Sequence, residues 1–210
     1  MVTAVIDYGL SNLLSVTSAI RYLGSDAVIV SSPENLTAAD RIVLPGVGAF
    51  GDGMRGLKQS GFDLAIRREV TKGTPLLGIC LGMQMLFDES DEFGTHEGLG
   101  LIHGVVRRIP SEDIDGVPQY VPNIGWSGLI PSSGSDFRDT FLRSISSGDE
   151  CYFVHSYEVI PSDKSSRVAD IIYGGRRICA AVCSGNVMGT QFHPEKSGQV
   201  GLNILQSFLA

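Results

Sequence analysis

Residues 76–86 run Leu-Leu-Gly-Ile-Cys-Leu-Gly-Met-Gln-Met-Leu, and residues 190–197 run Thr-Gln-Phe-His-Pro-Glu-Lys-Ser. In the first string Cys80 stands between Gly78 and Gly82, where a short apolar run gives way to a helix-like pattern. Strand, tight turn and helix with the spacing Gly-x-nucleophile-x-Gly form a nucleophile elbow, here with sulfur where related hydrolases use a serine oxygen. The turn leaves no room for neighbouring side chains, which explains the glycines. It lifts the nucleophile above the carboxyl ends of the strands, where open α/β sheets bind ligands. It also sets the thiol at a helix N-terminus, whose partial positive charge favours thiolate. The Leu81 amide then turns towards any oxyanion formed at sulfur.

Such a nucleophile needs a base. Of the four histidines, His96 and His103 belong to loop sequence and His155 to an apolar strand. His193 ends a strand, as Cys80 does, with Glu195 two residues on, past Pro194. A rigid His-Pro-Glu unit can aim its carboxylate at the imidazole, fix the tautomer and support its positive charge. Covalent catalysis through sulfur is the chemistry these three residues define. A competing signal is Gly46-x-Gly48-x-x-Gly51, which matches the dinucleotide fingerprint directly after a strand. The acid that such a site wants roughly 20 residues later would fall among Ile66, Arg67 and Arg68. Glu69 is there expected on the outer face of a helix, so the fingerprint is disfavoured. Cys179 and Cys183 read as strand residues, and no His/Cys pair has ligand spacing, so neither metal nor cofactor is expected.

The elements that must position these residues alternate through the first half. Strands are expected over 3–7, 27–30, 41–44 and 76–79. A first helix carries Leu13, Val16, Ala19, Ile20 and Leu23 and stops at Gly24. Ser32 and Pro33 suit the start of a short helical turn. A glycine-rich turn follows the third strand, then helices near 62–72 and 81–88. Strand-like pieces at 104–109, 119–123, 151–157, 169–174, 178–183 and 187–192 fill the second half, with 127–136 the loosest stretch. A helix over 198–208 closes the chain with Leu202, Leu205 and Phe208. The pattern predicts a single α/β domain over 1–210, with a mostly parallel central sheet, helices on both faces and an added antiparallel region.

Composition agrees. The 210 residues are 43% hydrophobic and 19% charged, with net charge −7, which suits one globular unit with a substantial core. No Lys/Arg block exceeds two residues, pointing away from nucleic acid and anionic membranes. The start lacks a basic leader and no apolar run approaches membrane-spanning length. Four cysteines do not make a disulfide framework, and the cytoplasm is the expected compartment.

The strings around Cys80 and His193 together resemble the class I glutamine amidotransferases, with a Cys-His-Glu triad. Ile-Asp-Tyr-Gly at 6–9, Pro-Gly-Val-Gly-Ala-Phe at 45–50, Gly-Leu-Gly-Leu-Ile at 98–102, Ile-Gly-Trp at 124–126 and Tyr-Phe-Val-His-Ser-Tyr at 152–157 are similar to glutaminase subunits of imidazole glycerol phosphate synthase. The resemblance runs the length of the chain. It implies glutamine hydrolysis through a Cys80 thioester, with the ammonia passed to a separate (β/α)8-barrel cyclase subunit in histidine biosynthesis. By the same resemblance the oxyanion site comprises Leu81 with the backbone of Gly46, Val47 and Gly48. Gln84 and Glu92 hold L-glutamine, helped by backbone at Ser156 and Tyr157, while Asn12, Trp126 and Tyr152 face the partner. The glutaminase is expected to be nearly idle until the partner binds its own ligand, with a peptide before Gly48 reorienting. The chain departs from the family pattern at Ser11, Asn123 and Ser127, all on the partner-facing side. A homologous synthase that aminates a surface-polysaccharide sugar is therefore the alternative acceptor. A cysteine peptidase of related fold is a more distant alternative, and a catalytically dead binding subunit is disfavoured by the intact triad.

Overall fold

A computed structural model describes residues 1–10, 12–133 and 136–210. Its first half follows the alternating pattern: β1 (Val2–Ile6), α1 (Leu13–Tyr22), β2 (Asp26–Val30), a 3-10 turn (Pro33–Ala38) and β3 (Arg41–Gly46). Two consecutive helices come next, α2 (Phe50–Ser60) and α3 (Phe62–Thr71), hinged at Gly61 in the left-handed region (φ 76°). β4 (Leu76–Cys80) leads straight into α4 (Leu81–Gln84). Two expectations are corrected here. The stretch after β3 is a helix because Phe50, Met54 and Leu57 share a buried face, and that spacing outweighs the propensity cost of Gly51, Gly53 and Gly56. The helix after Cys80 is one turn long, and residues 85–88 continue as turns.

The second half is built from shorter pieces: β5 (Glu89–Ser90), β6 (His96–Glu97), β7 (Gly104–Arg108), β8 (Asn123–Gly128) and β9 (Ile130–Pro131). β10 (Glu150–His155), β11 (Tyr157–Pro161), β12 (Arg167–Tyr173), β13 (Arg176–Ser184), β14 (Val187–Thr190) and α5 (Gly198–Leu209) complete it. Residues 119–122, expected as strand, are irregular, and the strand begins at Asn123. The segment around Trp126, outside the expected strands, is β8 and pairs antiparallel with β10. The run 151–157 divides at Ser156 between two different sheets.

The main sheet has the order β2-β1-β3-β4-β14-β13-β12-β9. Its first five strands are mutually parallel and the last three antiparallel. Period-two alternation assigns neighbouring residues to opposite faces. Ile6, Leu44 and Leu76 pack with Leu57, Phe62 and Ile66 of α2 and α3. Val5, Val43 and Leu77 pack with Val16 and Ile20 of α1 and Ile204 and Leu205 of α5. Glu69, expected outside, is buried at 3% exposure. Its carboxylate is tolerated because Arg68 and Lys72 bond it at 2.9 and 3.0 Å. No described helix is long and apolar enough to cross a membrane.

Register sets the site. Gly46 at the end of β3 pairs with Cys80 at the end of β4. Thr190 at the end of β14 pairs with Ile79. Nucleophile, glycine loop and the His193 turn thus leave the same sheet edge side by side.

Candidate active site

Cys80 has φ 56° and ψ −113°, a backbone conformation rare for any residue with a side chain. Sterics of the neighbours permit it. A Cβ on Gly78 would lie 2.7 Å from the Gly82 carbonyl oxygen, and one on Gly82 would overlap the Leu44 carbonyl. Close approach of β3, β4 and α4 is thus possible only with glycine at both positions. Strain of this kind costs on the order of 1–3 kcal/mol and collects at functional sites. All four cysteines are free thiols. Burial pushes Cys151 and Cys179 up to about 12 and makes them inert, so Cys80 is set apart by its elbow.

His193 begins a 3-10 turn (Pro194–Lys196) after β14. Its Nδ1 bonds Glu195 Oε1 at 2.8 Å, and the Glu195 side chain is wholly buried. Nε2 is buried and lacks a well-formed hydrogen bond among the described residues. Burial opposes protonation of the ring. Loose hydrogen bonding and charge from Cys80, with the bond and charge from Glu195, outweigh it and push the imidazole up to about 9. The ring is therefore held as imidazolium beside sulfur at neutral pH. Strand β10 clamps this turn: the His193 amide donates to the Tyr152 carbonyl at 3.0 Å, and the Tyr152 amide donates to Ser197 Oγ at 3.0 Å.

These groups open onto a cavity of about 290 Å³ lined by Val47, Gly48, Cys80, Leu81, Gln84, Glu92, Pro122, Val154, His155, Ser156, Tyr157 and His193. Gln84 Nε2 donates to the Tyr157 carbonyl at 3.3 Å and to Gln191 Oε1 at 3.0 Å. Glu92 accepts from the Phe50 amide at 2.7 Å, fixing its carboxylate at the N-terminus of α2. In the glycine loop the Val47 amide donates to the Leu10 carbonyl at 3.1 Å. Gly48 has φ 102°, which its lack of a Cβ permits. Gly46 lies beneath the cavity rather than on its wall, against the Tyr8 hydroxyl. The Asn12, Trp126 and Tyr152 positions lie outside. Asn12 is the residue before α1, and Ser11 falls outside the described residues. Trp126, 51% exposed, meets the Tyr152 ring edge-on at 6.0 Å across the β8–β10 pair.

Three polar residues were not anticipated. Gln191, fully buried, places its Nε2 3.8 Å from Cys80 Sγ. It lies in the bend between the end of β14 at Thr190 and His193, where no sequence periodicity announces its direction. His155 lines the cavity with both ring nitrogens committed, Nδ1 to the Tyr157 carbonyl at 2.9 Å and Nε2 to Asn123 at 3.1 Å. Burial pushes it down to about 4, so it is a neutral structural group and not a second base. The Tyr8 hydroxyl is buried without a partner among the described residues.

An elbow cysteine, a carboxylate-backed histidine and an adjoining glycine loop on an α/β sheet define a thiol-dependent acyl-transfer enzyme. The family model for class-I glutamine amidotransferases matches residues 4–210, and the chain belongs to this family. It is 49% identical over 207 residues to the imidazole glycerol phosphate synthase subunit HisH 1 of Legionella pneumophila strain Lens, covering 98% of this chain and 97% of that one. It is 47% identical over 205 residues to the subunit HisH of Syntrophotalea carbinolica, covering 97% of each. Among solved structures, PurLQS from Thermotoga maritima superposes with a TM-score of 0.75 at 23% identity, over 99% of this chain and 97% of that one. That likeness reflects shared fold.

Proposed function

We propose that this chain is the glutaminase subunit of an imidazole glycerol phosphate synthase, hydrolysing L-glutamine and delivering ammonia to a cyclase subunit in histidine biosynthesis. Near-half identity to HisH proteins over almost the whole of both chains supports this. The observation that carries the chemistry is that Cys80 and His193 line one small cavity, with Glu195 buried behind the imidazole and bonded to its Nδ1.

In this reading the Cys80 thiolate attacks the amide carbon of glutamine, and the carbonyl electrons pass to an oxyanion. Collapse breaks the C–N bond as His193 gives its proton to the departing ammonia, leaving a γ-glutamyl thioester. His193, now neutral, takes a proton from water. The hydroxide attacks the thioester and the thiolate leaves, releasing glutamate. Glu195 holds the ring's tautomer and charge throughout. Leu81 and a rotated Val47–Gly48 peptide are the proposed oxyanion donors, with Gly46 below giving the loop its freedom. Gln84 and Glu92 bind the amino-acid end of glutamine beside backbone of Ser156 and Tyr157. A cavity of about 290 Å³ suits a free amino acid rather than an extended peptide.

Ammonia protonated in bulk water is no nucleophile, so it must pass directly to the acceptor. The partner is proposed to be a (β/α)8-barrel docked over Trp126, Tyr152 and Asn12, in the cytoplasm. Residues 1–210 are taken as one glutaminase domain, because β14 from near the C-terminus inserts beside β4 from the first half. Replacing Cys80 by Ala in the complex is expected to abolish synthesis from glutamine and leave synthesis from ammonium salts intact. Persistence of glutamine-driven synthesis would refute the assignment.

A further inference from the structure

A chain of buried hydrogen bonds runs from β8 to the sulfur. Asn123 Nδ2 meets His155 Nε2 at 3.1 Å, and His155 Nδ1 meets the Tyr157 carbonyl at 2.9 Å. Gln84 Nε2 reaches the same carbonyl at 3.3 Å and Gln191 Oε1 at 3.0 Å, and Gln191 Nε2 faces Cys80 Sγ at 3.8 Å. Asn123, Gln84, His155 and Gln191 are at most 6% exposed.

The polarity of this chain is fixed at one point. A backbone carbonyl only accepts, so His155 must carry its proton on Nδ1, and Gln84 must turn its NH2 group to Tyr157. Gln84 therefore donates to Gln191 as well, and Gln191 must accept through oxygen. Its NH2 group is left facing sulfur and cannot turn away without setting two NH2 donors, its own and that of Gln84, against each other in a buried setting.

We infer that Gln191 is a positioning residue of the reaction, presenting a fixed N–H donor to the Cys80 sulfur and stabilising its thiolate before substrate arrives. This rests on the assignment of Cys80 as the nucleophile. The other titratable groups around the sulfur are His193 with Glu195 behind it, Tyr8 from the turn after β1, and Glu92 on the cavity wall. None of them supplies a neutral amide donor.

The test is the pH dependence of Cys80 alkylation by iodoacetamide in the full-length chain, read from the Cys80 peptide by mass spectrometry. The midpoint belongs to the coupled Cys80–His193 pair. Gln191→Met keeps the bulk and removes the donor, and is expected to raise the midpoint by about 0.5–1 pH unit. Gln191→Glu keeps the shape and sets a carboxylate at the sulfur, and is expected to raise it further. Glutamine-dependent kcat in the complex should fall about tenfold in Gln191→Met, the loss of one hydrogen bond. A residue that only filled space would leave the Gln191→Met midpoint at the wild-type value, while the Gln191→Glu rise reports that this side chain reaches the sulfur. Equal midpoints in wild type and Gln191→Glu overturn the inference, and that comparison decides alone if Gln191→Met fails to fold. If Cys80→Ala retains glutaminase activity, the nucleophile assignment itself falls, whatever the Gln191 variants show.

Discussion

At the scale of single residues, the site is a contest over one proton. His193 is buried, which alone would keep it neutral, yet Cys80 and Glu195 push it up to about 9. The rate of glutamine hydrolysis in the complex is therefore expected to fall as pH rises through about 9, where the imidazolium is lost. Glu195→Gln removes the anion bonded to Nδ1 at 2.8 Å. It should move that alkaline limb to lower pH and lower kcat by about a hundredfold or more. A pH–rate profile of the two proteins checks both. His155 has the opposite sign. Burial pushes it down to about 4, so its contribution to stability is present above its unfolded value and is lost as pH falls towards 4. On the order of 3 kcal/mol is at stake between about pH 6.5 and 4. Thermal melts across that window should flatten in His155→Gln. The candidate site residues Cys80 and His193 were legible in the sequence because reactive types are rare and their spacing is local. Cys80 and His193 each sit in a short string with its own logic. Gln191 and Asn123 were not legible in their roles, because a glutamine or asparagine has a function only once its partners, distant in sequence, are known.

At the scale of elements, the elbow depends on how closely α4 rides over β3. Gly82→Ala drives a methyl group into the Leu44 carbonyl, and relief requires β3, β4 or α4 to move. Overpacking of this kind costs about 1–3 kcal/mol. The variant is expected to lower the denaturant midpoint and to lose glutamine hydrolysis even where folded, since Cys80 loses its backbone geometry. Parallel strands were readable as continuous apolar runs because both of their faces are covered. α2 was hidden by Gly51, Gly53 and Gly56, which serve packing: a Cβ on Gly53 would meet Met85 Sδ at 2.7 Å, and one on Gly56 the Tyr8 carbonyl at 3.0 Å. Local propensity and tertiary demand disagree there, and tertiary demand wins. β8 was hidden for a different reason: its apolar residues Ile124 and Trp126 alternate with polar or small ones but face outward, against the usual pattern, and pairing with β10 makes it a strand.

At the scale of the whole molecule, the sheet gathers strand ends from both halves of the sequence at one edge, which no local pattern announces. Beside that edge the β8–β10 ribbon exposes Trp126 and Ile124 at 51% and 62%. An aromatic of that size on a ribbon away from the core fits an anchor for the proposed partner. Trp126→Ala is expected to leave the melting temperature of the isolated chain nearly unchanged and to weaken partner binding by about 2 kcal/mol, roughly thirtyfold in Kd. Titration calorimetry with the cyclase subunit would measure it. Behind this ribbon, the two backbone groups of Tyr152 grip the amide of His193 and the hydroxyl of Ser197. The outer skin of the protein and the mount of the His193 ring are thus one peptide thick. A partner docked on Trp126 as proposed would lean on the imidazole too, so docking and turnover would be tuned together at this spot.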